Sequence, residues 1–221
     1  RDSGIPLCKS FLDAGLNVIG LDIDENRISE LQGGIISLNH LSHIKLEQYL
    51  TDQSVIFSTE MEKCREVDAI IICVPTPLDN NMDPDLSPIK QAISSIIPYL
   101  KHNQIISLES TTYPGTTYEE IICPIEDSGL KVGTDVYVVY SPEREDPGNK
   151  EFNCKNTPKL IGGYSENCLK KGVELYSHVI DTPVPVSSCE IAEFAKLYEN
   201  IYRAVNIGLA NEMKIIADAF D

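Results

Sequence analysis

Short apolar runs alternate with helix-patterned segments along almost the whole chain, and this alternation limits the fold more than any other feature. The runs are Asn17–Ile23, Val55–Ser58, Asp68–Pro75, Gln104–Glu109, Asp135–Tyr140, Lys159–Gly163 and Pro183–Val186. Between them lie Ile5–Ala14, Glu25–Leu31, His40–Leu50, Glu60–Glu66, Ile89–Leu100, Glu119–Asp127 and Ser165–His178, each read as a helix. Strands and helices alternating at this spacing predict an α/β fold with a doubly wound, mostly parallel sheet. The run DAIIICVP, apolar at successive positions, predicts a strand buried on both faces.

The chain closes on a different pattern. From Ser187 to Asp221, apolar residues recur at helical spacing through Ile191, Tyr198, Val205, Leu209 and Ile216, with no proline and only Gly208 inside. Glu193, Lys196, Asn200 and Arg203 fall three or four residues apart and form one polar stripe. So long a helix, apolar over much of its surface, needs more than a small sheet to pack against. The predicted organisation is a nucleotide-binding domain over 1–186 and a long linking helix over 187–221.

A formal net charge of −16 argues against nucleic acid or an anionic membrane as the main partner. The longest apolar runs are too short to span a bilayer, and no secretory n-region and h-region pair opens the chain. Seven cysteines without CxxC spacing read as free thiols of a reducing cytosol. Four histidines without HxxxH or HExxH spacing predict no metal site. Cys73, in an apolar strand, reads as packing.

The first predicted helix, a strand and then Asp22 at the strand's end match the second half of a dinucleotide-binding βαβ unit. There an acidic residue accepts hydrogen bonds from the adenosine ribose, and Asp22 is placed for it. Asp22 and Asp24 as plain turn residues is the competing reading. Such a unit also begins with a strand and a GxGxxG turn that faces a pyrophosphate at a helix N-terminus. Only Gly4 can serve as the last glycine of that turn, so the first strand is expected to be missing.

Three polar loops follow strand ends: Val74–Pro77, Glu109–Gly115 and Ser141–Asn149. With GIPL at Gly4–Leu7, GLDID at Gly20–Asp24, VPTP, ESTTYPGTT, SPEREDPGN, PKLIGG and the segment from Ala192 to Ile207, the chain resembles the nucleotide-sugar 6-dehydrogenases. This is the UDP-glucose/GDP-mannose dehydrogenase family, and the ESTTYPGTT and SPEREDPGN wording is most similar to its UDP-N-acetylglucosamine branch.

The resemblance implies oxidation of a sugar C6 alcohol to a carboxylate with two NAD⁺, for polysaccharide biosynthesis in the cytoplasm. It implies Lys196 and Asn200 as oxyanion-stabilising and proton-handling groups, Thr111 as the residue positioning the catalytic water, and Glu143 acting on that water or on the thioester step. Gly4, Asp22, Arg27, Thr76 and Ser110 would bind NAD. A UDP-sugar would be the substrate, and the long helix would form a homodimer. Pro147 stands where UDP-glucose members tend to carry a second glutamate, which leaves the role of Glu145 open. No cysteine of this sequence has the GGHC-like context of the family's nucleophile, and the UDP-binding domain is not represented. The chain alone is therefore expected not to complete the oxidation. A non-catalytic nucleotide-binding module is the alternative. A dehydrogenase of another substrate class would share the opening pattern but gives no reason for SPEREDPGN.

Overall fold

The computed structural model describes residues 4–36, 45–143 and 155–220. The first helix, α1 (Gly4–Asp13), turns at Gly15, whose φ of +81° suits a residue without Cβ, and leads into β1 (Val18–Leu21). Helix α2 (Glu25–Gln32) starts at Asp24, whose carboxylate accepts hydrogen bonds from the Asn26 and Arg27 amides. A short α3 (Glu47–Thr51) precedes β2 (Val55–Ser58), which pairs in parallel with β1. The helix expected over His40–Leu50 is thus confined, among the described residues, to its C-terminal part. Glu60–Glu66 supplies a 3₁₀ turn at Met61–Arg65 rather than an α-helix.

The second sheet runs β3 (Ala69–Ile72), β4 (Ile105–Leu108), β5 (Tyr137–Tyr140), β6 (Lys159–Gly163) and β7 (Pro183–Val186), neighbours in that order. All its pairs are parallel except β5 with β6. Helices α4 (Ser87–Ile96), α5 (Cys123–Asp127) and α6 (Glu166–Tyr176) lie between these strands in sequence. Ile89, Ile93 and Ile96 bury one stripe of α4, each removal from water stabilising by about 1.5–3 kcal/mol. The segment before α5 forms a π turn at Tyr118–Ile122, where Pro124 has no amide to donate to an α-helical ladder. Val138, Val139 and Tyr140 are fully buried, which places β5 at the centre of the core.

The order β2-β1 followed by β3-β4-β5 reproduces two parts of the doubly wound order 3-2-1-4-5-6, with no strand at place 1 among the described residues. In place of one sheet there are two. Val18 and Leu21 of β1 pack on the same core as Ile70 and Ile71 of β3, so two sheet edges border one core without a ladder between them. β3 is accordingly half-exposed except at Ile72, against the expectation of a strand buried on both faces. A smaller apolar cluster built from Ile5, Leu12, Ile28, Leu31, Leu46, Val55 and Phe57 sits under β1 and β2.

The last helix, α7 (Cys189–Asp218), is capped by Ser188, whose hydroxyl accepts from the Ile191 amide. Its thirty residues extend about 45 Å. Only Cys189, Ala192 and Glu193 are buried, and from Ile201 to Phe220 every residue is exposed. No helix among the described residues is long and apolar enough to cross a membrane.

Candidate cofactor and catalytic site

The carboxyl ends of β3, β4 and β5 converge on one open cleft, lined by residues 73–76, 109–111 and Glu143. The ladder of β3 stops at Ile72, earlier than the apolar run suggests, and frees Cys73–Thr76 to form one wall. The Thr76 hydroxyl donates to the Thr111 carbonyl at 2.7 Å, and the Ser110 hydroxyl donates to the Val74 carbonyl at 2.7 Å. These two bonds tie the loop after β3 to the loop after β4. The Tyr140 hydroxyl, on β5, donates to the Ser110 carbonyl at 3.2 Å and fixes the second loop from below.

Helix α7 reaches the segment that carries Glu143. Lys196 Nζ donates to the Glu143 carbonyl at 2.6 Å. Asn200 lies one turn further on, half-buried. Glu193, one turn before Lys196, is fully buried and leaves the polar stripe that the spacing predicted. Its Oε2 accepts from the Gly115 amide at 2.7 Å, and its Oε1 accepts from the Thr117 amide and hydroxyl at 2.8 and 2.6 Å. Burial pushes the Glu193 carboxyl above the ordinary range, while these three donors act in the opposite sense. The carboxylate thereby joins α7 to the loop that follows Thr111.

At the cleft lining, through Glu109, begins a group that sequence reasoning missed. Glu109 Oε1 accepts from the Tyr176 hydroxyl at 2.5 Å and lies 3.2 Å from Lys159 Nζ. Tyr176 shares a 2.7 Å hydrogen bond with Ser107. Ser107 lies in β4 and Glu109 just after it, Tyr176 in α6 and Lys159 in β6, far apart in sequence. Gly162 and Gly163 are needed there because a Cβ would stand 2.3 Å from the Ser188 carbonyl oxygen or the Leu169 nitrogen, respectively.

The other predicted cofactor residues sit around this centre. A Cβ on Gly4 would lie 3.9 Å from that of Cys73, so the N-terminus of α1 adjoins the cleft wall. Cys73 therefore belongs to that wall as well as to the packing, and burial pushes its thiol well above the usual range. Asp22 stands at the end of β1, its Oδ2 3.5 Å from Arg27 Nε and its Oδ1 accepting from the Asp24 amide at 3.1 Å. A carboxylate has about four lone-pair sites, so room remains for ribose hydroxyls. Glu145 and the loop after Glu143 lie outside the described residues. No group of three or more His, Cys, Asp or Glu among the described residues could hold a metal ion.

A parallel α/β sheet with an open cleft at its strand ends, a helix N-terminus beside it and an acidic residue after β1 defines a nucleotide-binding domain of the Rossmann type. Residues 3–180 match the UDP-glucose/GDP-mannose dehydrogenase family, NAD binding domain, and the chain belongs to that family. It is 37% identical to protein CapL of Staphylococcus aureus over 99% of this chain and 51% of that protein. It is 35% identical to a UDP-N-acetyl-D-glucosamine 6-dehydrogenase of Pseudomonas aeruginosa, over 96% and 50%. The solved UDP-N-acetyl-mannosamine dehydrogenase Cap5O of S. aureus superposes with a TM-score of 0.88 at 34% identity, over 98% of this chain and 52% of that one. The chain thus spans about half the length of the relatives it matches.

Proposed function

We propose that this chain is the cofactor-binding half of an NAD⁺-dependent UDP-sugar 6-dehydrogenase. It would act on a UDP-N-acetylhexosamine and serve cytoplasmic polysaccharide biosynthesis. The observation that carries the reading is the meeting of Lys196 with Glu143 at the cleft that also holds Thr76, Ser110 and Thr111. NAD⁺, when bound, takes up the hydride from the sugar's C6.

The chain's own residues supply the rest. Asp22 orients the adenosine ribose, with Arg27 beside it, and the amides at the start of α1, near Gly4, face phosphate. Thr76 and Ser110 line the cofactor's path. Lys196, with Asn200 one turn on, offers donors to an oxyanion forming at C6. Thr111 holds a water, and Glu143 handles the proton that the water gives up. Two copies pair through the exposed length of α7.

Calorimetric titration with NAD⁺ tests the first half of this reading. Saturable binding that weakens in Asp22→Ala is the expected result, and no heat of binding from a folded chain would refute it. The second half is tested by NADH formation in the polypeptide that carries this chain, with UDP-N-acetylglucosamine and UDP-N-acetylmannosamine as substrates. Lys196→Ala should lower turnover far more than NAD⁺ affinity. Equal losses in both would assign the lysine to cofactor binding or folding.

A further inference from the structure

The buried Lys159 has three partners, and only one of them is its counter-charge. Side-chain exposure is 7% for Lys159 and 1% for Glu109. Beyond the 3.2 Å contact with Glu109, Lys159 Nζ donates to the Pro142 carbonyl at 3.1 Å and stands 5.1 Å from the centre of the Tyr176 ring. A buried ion pair gains little over apolar residues of the same volume, because desolvation offsets the attraction. Its consequence here is the geometry it fixes.

Pro142 immediately precedes Glu143, and Lys196 takes the next carbonyl along. Two ammonium groups, one from the sheet and one from α7, thus hold consecutive carbonyls of the segment that presents Glu143 to the cleft. Lys159 cannot shift without breaking its bond to Glu109, which Tyr176 and, through it, Ser107 hold in turn. Ser141, on the other side of Pro142, is pinned by its own hydroxyl, which donates to the Leu160 carbonyl at 2.8 Å.

We propose that Lys159 is a positioning residue for Glu143, with Glu109 and Tyr176 setting where its ammonium stands. The inference rests on the role given to Glu143 above. A carboxylate that must meet one water loses rate steeply when misplaced, by about a hundredfold for 1 Å.

The test uses the full polypeptide and a double-mutant cycle. Lys159→Met combined with Glu109→Gln removes both charges together, so that no lone charge stays buried. Turnover should fall by about tenfold or more, and by a larger factor than NAD⁺ affinity, since Glu109 also lines the cleft. Adding Glu143→Gln should cost nothing beyond Glu143→Gln alone, because the groups act as one unit. Undiminished turnover in the charge-neutral pair, or losses that multiply, would overturn the inference while leaving Glu143 its role. A Glu143→Gln enzyme as fast as its parent would remove both. If the paired variant does not fold, Tyr176→Phe keeps the ring and deletes the hydroxyl that holds Glu109. It should give a smaller turnover loss that likewise vanishes against Glu143→Gln, and a multiplying loss would again overturn the inference.

Discussion

Replacing Glu193 by glutamine changes one oxygen to an amide group and little else. In the native protein Oε2 serves the Gly115 amide, and Oε1 serves the Thr117 amide and hydroxyl. However the glutamine seats itself, its NH₂ faces a backbone N–H where the carboxylate offered an acceptor. One buried donor left without a partner costs about 1–3 kcal/mol. For a chain of this size that lowers the melting temperature by roughly 2–12 °C. Glu193→Ala deletes all three bonds and leaves a void, so about 4 kcal/mol is expected. Near-ultraviolet circular dichroism is the assay, because Tyr140 and Tyr176 are fully buried and report the main core.

A pH series adds a second reading of the same carboxylate. Burial holds the Glu193 carboxyl above its ordinary 4.5, so above that pH the folded chain keeps a proton that the unfolded chain has lost. This group's contribution is therefore fully present at low pH and is lost as pH rises from 4.5 through the raised value. Glu193→Gln cannot titrate and should lose that part of the slope. A glutamine variant that melts within about 1 °C of the parent would refute the claim that this carboxylate latches α7 to the sheet.

Glycine substitutions should move stability in opposite directions at two sites. Gly162→Ala drives a Cβ to 2.3 Å from the Ser188 carbonyl oxygen and should cost about 3 kcal/mol, whereas Gly208→Ala, with nothing within 4 Å inside a helix, should gain roughly 0.5–1 kcal/mol in thermal melts. Burial pushes the Cys8 thiol up to about 12 and the Cys73 and Cys189 thiols higher still. Iodoacetamide at neutral pH should therefore leave these three unlabelled in the native protein and label them in urea, as mass spectrometry of peptides would reveal. Ile201 and Val205 of α7 are 52% and 63% exposed. Sedimentation should find the chain self-associated at micromolar concentration and Ile201→Glu/Val205→Glu monomeric; a monomeric parent would count against pairing through α7.

Period and punctuation made the elements legible. Val55–Ser58, Lys159–Gly163 and Pro183–Val186 stand where the pattern puts them, and α7 ends within a few residues of its predicted limits. Strand ends were less legible, since Cys73–Pro75 continue the apolar run in composition while leaving the ladder to line the cleft. That the loops after β3, β4 and β5 share one edge follows from the rule for strand carboxyl ends in a parallel sheet, whereas Thr76, Ser110, Thr111 and Glu143 were singled out within them by the family resemblance. Glu193 did not follow from any rule of spacing. Its partners lie 76 and 78 residues away, and helical period alone assigned it to the polar stripe beside Lys196. The Glu109, Lys159 and Tyr176 group escaped for the same reason, because three separate stretches of the chain contribute one residue each.

Two apolar clusters set how the described residues would open to solvent. Val55 and Phe57 of β2 belong to the smaller cluster, Leu21 of β1 packs on the larger, and Val18 borders both. Amides of Ile106 and of Val138–Tyr140 sit under the larger cluster and would exchange with solvent deuterium only when that whole unit opens. Those of β2 lie over the smaller cluster and would exchange sooner. Asp22 and Arg27 ride on the weaker unit, while Lys196 and Glu143 belong to the stronger. A ligand that touches both would contribute part of its binding free energy to fusing two folding units into one.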